Sequence, residues 1–239
     1  MKNNFKKNIH YLQDSEYPGR GLIIGMTPDR NYAVQIYWIM GRSENSQNRI
    51  FVKDGKFLKN KIYNDSKKVD TSLTIYYSMK NISNIHIVSN GDQTETIYNY
   101  LKKKKSFEQA IYKRTFEPDK PNYTPRISGI INPSELNYKY KISIIKSFHN
   151  SSEMCIRNIY NYSAFIPGVG HCITTYKDNG NPLPSFEGEP YELPIYNDSM
   201  KTLNYYWDLL NNEYRVSIAA KYINLKSNKF EIKIINKNN

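Results

Sequence analysis

Apolar residues in this chain fall mostly into short runs of strand length, separated by turn residues. The first two runs, 20–26 and 32–40, flank Thr27-Pro28-Asp29-Arg30-Asn31, whose proline and Asn/Asp chemistry predicts a turn and hence a hairpin. A third strand is predicted at 48–53, closed by Asp54-Gly55, and the polar stretch 56–70 reads as a loop. Residues 72–79 and 85–88 predict another hairpin around 80–84. Further strands are expected at 127–131, 138–146, 153–160 and 169–175. After a Gly- and Pro-rich loop at 178–194, a last hairpin pairs 214–222 with 230–235, turned at 225–228.

Helical spacing is confined to three segments. Residues 92–101 place Ile97 and Leu101 at i, i+4 behind Asp92. Residues 106–114 carry a capping-box pattern, Ser106 with Gln109, beside Phe107, Ala110 and Ile111. Residues 198–210 start at Asp198 or Ser199 and put Leu203, Trp207 and Leu210 on one face. Residues 1–18 are polar and read as an N-terminal arm. No repeat and no linker divides the remainder, so 19–239 reads as a single domain. Many hairpins with few, clustered helices predict the α+β class, with helices layered on antiparallel sheets.

At 239 residues, 39% hydrophobic and 14% aromatic, the chain can bury a substantial core. Its 22 tyrosines accompany abundant Asn, Ile and Lys, a joint excess that matches AT-rich codon bias and says little about function. The net charge of +12 comes largely from dispersed lysines such as Lys2, Lys6, Lys7 and Lys237. The one dense run, 102–105, follows a predicted helix and complements its dipole. A solvated surface, not a nucleic-acid partner, is therefore expected. No apolar stretch approaches ~18 residues, and no secretory signal is visible, so neither a membrane partner nor export is expected; the expected compartment is the cytoplasm. Cys155 and Cys172 lack metal-ligand spacing, no His/Cys cluster is present, and neither a triphosphate loop nor a dinucleotide fingerprint occurs.

Three polar clusters adjoin the apolar runs, and they take three of only eight arginines. Gly41-Arg42-Ser43 with Asn48-Arg49 reads as a hairpin connection, in which two arginines either grip a phosphate or stand solvated. Ser89-Asn90-Gly91-Asp92 ends a strand and opens a helix. Gly91 allows close backbone approach and the helix N-terminus attracts anions, or the segment is a plain turn with Asn/Asp capping. Tyr123-Thr124-Pro125-Arg126 begins a strand, with Pro125 holding Thr124 extended. Glu117 is a candidate acid/base, or else the ion-pair partner of Arg126. His171, alone in a small-residue strand, reads as structural, and 186–190 as either a lid or a surface loop.

In this order, Gly19-Arg20, Gly25, Gly41-Arg42-Ser43 with Asn48-Arg49, Val88-Ser89-Asn90-Gly91 with Thr94, and Tyr123-Thr124-Pro125-Arg126-Ile127 resemble the archaeal-type IMP cyclohydrolase family. The resemblance covers about residues 17–131 and fades beyond 140. It implies a four-layer α-β-β-α sandwich of antiparallel sheets, similar to N-terminal-nucleophile hydrolases but without their processed nucleophile. It also implies a cyclohydrolase of purine biosynthesis. Such an enzyme closes the pyrimidine ring of formamidoimidazole carboxamide ribonucleotide, releasing water to give IMP, with no metal or cofactor. The partner implied is a small purine ribonucleotide; a homo-oligomer is left open. Carried over residue by residue, the expected catalytic groups are Arg42, Glu117, Tyr123 and Arg126. The expected substrate contacts are Arg20, Ser43, Asn48, Arg49, Tyr76, Ser89, Asn90, Gly91 and Asp92.

Departures are specific. Glu44-Asn45-Ser46-Gln47 replaces a typical Phe-Pro in a longer segment; Asp92-Gln93 replaces Ser-His; Tyr76-Tyr77-Ser78 replaces Tyr-Asn-Cys; and Pro118 interrupts the acidic loop between Glu117 and Asp119. Gln93 cannot take over proton transfer from a histidine. The alternatives are a related amidohydrolase or cyclase on another ribonucleotide, a non-catalytic purine-nucleotide-binding protein, and, last, a nucleic-acid binder.

Overall fold

In the second strand, β2 (Tyr32–Met40), successive side chains are almost all buried, because both faces of the strand are covered. Ala33, Tyr37 and Ile39 enter one apolar cluster, whereas Val34, Ile36, Trp38 and Met40 enter another. The computed structural model describes residues 2–64, 66 and 75–238, apart from the side chains of 2–4. It contains two antiparallel sheets and few helices.

The first sheet has the order β11-β10-β1-β2-β12-β13, formed by β1 (Gly21–Met26), β2, β10 (Val169–Thr174), β11 (Tyr191–Pro194), β12 (Arg215–Asn224) and β13 (Phe230–Asn236). The second runs in chain order from β3 (Arg49–Asp54) through β4 (Phe57–Ile62), β5 (Tyr76–Ile82), β6 (Ile85–Ser89), β7 (Arg126–Ile131) and β8 (Tyr140–Ser147) to β9 (Cys155–Tyr162). Leu22, Ile24, Tyr37 and Ile39 of the first sheet pack against Phe51, Leu58, Met79, Val88 and Ile127 of the second. Helices α1 (Lys2–Asp14) and α5 (Ser199–Leu209) supply Leu12, Leu203 and Tyr206 to the outer face of the first sheet. Helices α3 (Gln93–Lys102) and α4 (Phe107–Tyr112) supply Ile97, Phe107, Ala110 and Ile111 to the outer face of the second. The capping box expected at Ser106 forms, with Gln109 as its reciprocal partner.

Several segments differ from the sequence reading. The polar arm is mostly helix: α1 is anchored by buried Leu12, by Tyr11 edge-on to Tyr191 at 5.3 Å, and by Asn8 donating to the Glu192 carbonyl. The loop expected over 56–70 contains β4, in which Leu58 and Ile62 are buried between exposed or half-buried lysines. Asp54-Gly55 is thus the turn of a hairpin, with Gly55 at φ 58°. The part of the next expected strand at 72–74 lies outside the described residues. The loop at 178–194 ends in β11. The segment expected to connect a hairpin at 41–49 instead crosses from one sheet to the other, through the short helix α2 (Glu44–Gln47), whose capping box is Ser43 with Ser46.

One part of the inter-sheet core is polar. Lys221 is fully buried, its ammonium lies 4.0 Å from the Phe230 ring centre, and its Nζ has no hydrogen-bond partner among the described residues. His86 Nδ1, Gln35 Oε1 and Asn81 Oδ1 are likewise unpartnered. Burial pushes Lys221 down from 10.5 to about 7, and burial together with Lys221 pushes His86 down to about 3. A lysine depressed in the fold penalises folding fully below about 7, and the penalty fades as pH rises toward 10.5. Lys221→Met should therefore stabilise the protein at neutral pH by on the order of 3 kcal/mol. It should also remove the rise in stability between those two pH values, as read by urea unfolding at a series of pH values.

Candidate functional site

Strand ends place the polar clusters at one end of the paired sheets. Arg20 immediately precedes β1, Arg42 follows β2, and Arg49 begins β3. Together with Ser43 they share the wall of one cavity of about 280 Å³. Tyr17, Tyr176, Asn122, Thr124, Asp119 and Leu183 complete much of that wall.

Each arginine is held differently. Arg20 donates from Nη1 to Glu117 Oε2 at 3.3 Å, and Glu117 is only 2% exposed. Arg49 donates from Nε to the Ser46 carbonyl (2.7 Å) and from Nη2 to the Met40 carbonyl (3.0 Å). Burial and the repulsion of Arg20 lower the Arg49 pKa. Two guanidinium groups facing one cavity, repelling each other, form a site that an anion would stabilise. Arg42 lies over the Tyr17 ring at 5.2 Å and donates to Asn179 Oδ1 (2.8 Å) and to the Gly180 carbonyl (2.9 Å). It therefore links the cavity to the loop that carries Leu183. Asp119 accepts from the Thr124 amide at 2.7 Å and from its hydroxyl.

Behind Arg20, burial raises the Glu117 carboxyl above its ordinary range, against the pull of Arg20 and Arg126. A buried carboxyl with its proton affinity raised in this way is a candidate for proton transfer. Tyr76 and Tyr37 share a hydroxyl–hydroxyl bond of 2.8 Å on the inter-sheet side. Tyr123 has φ 43° and packs its ring on Phe116 at 5.4 Å, so it does not line the cavity.

The cluster at 89–93 forms a neighbouring network. Asn90 donates to the Pro125 carbonyl (2.9 Å) and accepts from Gln93 Nε2 and the Ile127 amide, both at 2.8 Å. Ser89 bonds the Gly91 carbonyl and Thr94. Asp92 makes no cap bond to α3; instead it pairs with Arg114 (2.6 Å) and Arg126 (2.7 Å). Arg126 thus takes Asp92, and also Gln93 Oε1 at 2.7 Å, in place of the Glu117 partner that its spacing suggested. A β-carbon on Gly91 would stand 2.7 Å from Arg126 Nη1 and 3.4 Å from Glu117 Oε1, so the missing side chain lets the two clusters meet. Asn48 is spent on both backbone groups of Asn64.

The structure therefore gathers Arg20, Arg42, Ser43 and Arg49 around the cavity, sets Glu117 directly behind Arg20, and puts Ser89, Asn90, Gly91, Asp92 and Arg126 in the adjoining network. Asn48, Tyr76 and Tyr123 stand outside the cavity wall. Tyr17, Asn122, Tyr176 and Leu183 escaped the sequence reading; they come from connecting segments with no motif spacing to mark them. Among the described residues no group of three His, Cys, Asp or Glu side chains could hold a metal ion, and no helix is long and apolar enough to cross a membrane.

The family model described as IMP cyclohydrolase-like protein matches residues 17–228. No curated protein matches the chain.

Asn90→Ala would leave the Ile127 amide without its acceptor and the Pro125 carbonyl without its donor in a buried setting, while Gln93 keeps the Ile127 carbonyl and Ser128 as acceptors. The expected loss is about 1–3 kcal/mol for each stranded group, measurable as a lowered denaturation midpoint.

Proposed function

Because the chain belongs to the IMP cyclohydrolase-like protein family, we propose that it closes the pyrimidine ring of formamidoimidazole carboxamide ribonucleotide, releasing water to give IMP. The observation that carries this reading is the convergence of Arg20, Arg42 and Arg49 on one cavity, with a buried carboxyl, Glu117, paired behind the first of them.

The reaction needs little that these residues lack. Nucleophile and electrophile belong to one molecule, so holding the carboxamide nitrogen against the formyl carbon supplies much of the rate, up to ~7–11 kcal/mol in favourable intramolecular cases. Arg42 and Arg49 grip the phosphate through forked donors, and Arg20 faces the developing oxyanion. Glu117, kept proton-competent by burial, relays the protons that dehydration moves. Arg126, beyond Gly91, acts on Glu117 through its charge, which favours the carboxylate. Tyr123 reaches the substrate only if its ring leaves Phe116. The helices outside two facing sheets fit the α-β-β-α layering of N-terminal-nucleophile hydrolases. This reading makes the chain a cyclohydrolase of purine biosynthesis working on a small ribonucleotide, with no cofactor in the chemistry.

A second reading, a nucleotide-binding protein without turnover, draws on Gln93. This residue is buried and bonded to Asn90 and Arg126, and it cannot titrate.

A spectrophotometric assay of ring closure separates the two. Arg42→Ala should lower kcat/KM about tenfold to a hundredfold with the melting temperature nearly kept. Glu117→Gln should lower kcat about a hundredfold to ten-thousandfold. The acidic limb of the parent pH profile should lie above 4.5, the ordinary glutamate value. Parent-rate cyclisation by both variants would sink the assignment, and IMP binding without product would favour the second reading.

A further inference from the structure

At the opposite end of β1 lies a second, larger cavity of about 480 Å³, lined by Met26, Arg30, Lys139, Ala164, Phe165 and Leu225 among others. Arg20 and Met26 bound the six residues of β1, so the two cavities stand roughly 20 Å apart. No residue lines both.

Its floor is a fixed aromatic platform. Phe165 stacks on Tyr140 with ring centres 5.0 Å apart and planes at 17°, and Tyr140 stacks on Tyr162 at 4.4 Å and 7°. The Tyr140 hydroxyl is tied to His171 Nδ1 at 2.7 Å, which stops the column from turning. The column ends at Phe165, on the cavity wall. Met26 and Leu225 add apolar side walls.

Its rim is cationic. Arg30 is exposed, and its guanidinium makes no hydrogen bond or ion pair with another described residue. Its backbone is held at φ 62°, a region that a non-glycine side chain avoids. Lys139 stands on the same wall, its ammonium bonded to the Pro133 and Glu135 carbonyls. Among the described residues no carboxylate lines the cavity.

We propose that this cavity is a binding site for a planar aromatic anion, whose ring stacks on Phe165 and whose charged group meets Arg30. Apolar walls, one rigid ring and one unspent cation form the donor set for such a ligand. The site is independent of the ring-closure reading and sits too far from Arg20 to share its ligand.

The test uses anilinonaphthalene sulfonate, an aromatic anion that fluoresces in apolar surroundings, beside phenylnaphthylamine, the same ring system without the sulfonate. The sulfonate should saturate a single class of site. Arg30→Ala should weaken it about tenfold while leaving the neutral probe nearly unchanged. Ala164→Trp, which fills the cavity from an exposed position, should abolish both. Arg42→Ala, in the other cavity, should alter neither. Circular dichroism and melting temperature establish that each variant is folded. The proposal is overturned if Arg30→Ala leaves sulfonate binding intact, if Ala164→Trp leaves either probe bound, or if Arg42→Ala is the variant that removes it.

Discussion

Arg20 and Glu117 meet 3.3 Å apart where the two sheets come together, one anchored at the start of β1 and the other on the segment leading into β7. Glu117 is buried, whereas Arg20 keeps 14% of its side chain exposed where it lines the cavity, so it is the carboxyl that cannot return to water without parting the sheets. Such a pair adds little net stability, but removing one partner strands a charge and costs about 3–5 kcal/mol. The pair therefore fixes where the two sheets face each other. It also leaves a carboxyl whose proton affinity is raised by burial and restrained by the arginines around it. Around this pair the remaining polar groups fall into place: Arg49, Thr124 and Tyr176 on the cavity wall, Arg126 and Asp92 beyond Gly91.

Strands with a consistent apolar pattern were legible. β2 was read at its true bounds, and the helices near 93, 107 and 199 were read within a residue or so at their starts, because capping chemistry and spacing agreed there. β4 was hidden by its lysines: Phe57-Leu58-Lys59-Asn60-Lys61-Ile62 buries only alternate positions, and the polar residues between them dominate the composition. Helix α1 was hidden for the same reason, since one buried leucine and edge contacts to β11 hold an otherwise polar segment.

Of the site, the arginines were legible because they are scarce and stand at strand ends. What the motif could not supply was pairing. Arg126 and Glu117 lie nine residues apart, yet Arg126 turns to Asp92 and Glu117 to Arg20, because the sheets bring distant residues closer than neighbours in sequence. Asn48 and Asn90 illustrate the same point: Asn48 bonds the backbone of Asn64, and Asn90 bonds the backbone at Pro125 and Ile127, which no spacing rule connects to them.

Strand order also sets a timetable for assembly. The sheet running from β3 to β9 follows the chain in order, broken only by helices α3 and α4 between β6 and β7, so its strands pair with neighbours made shortly before them. The other sheet is written at both ends of the chain: β1 waits for β10, and β2 for β12, across well over a hundred residues. The first two strands made are thus among the last to be fully paired, and until residues near 220 are synthesised their apolar edges stay open to chaperones or to a neighbouring chain.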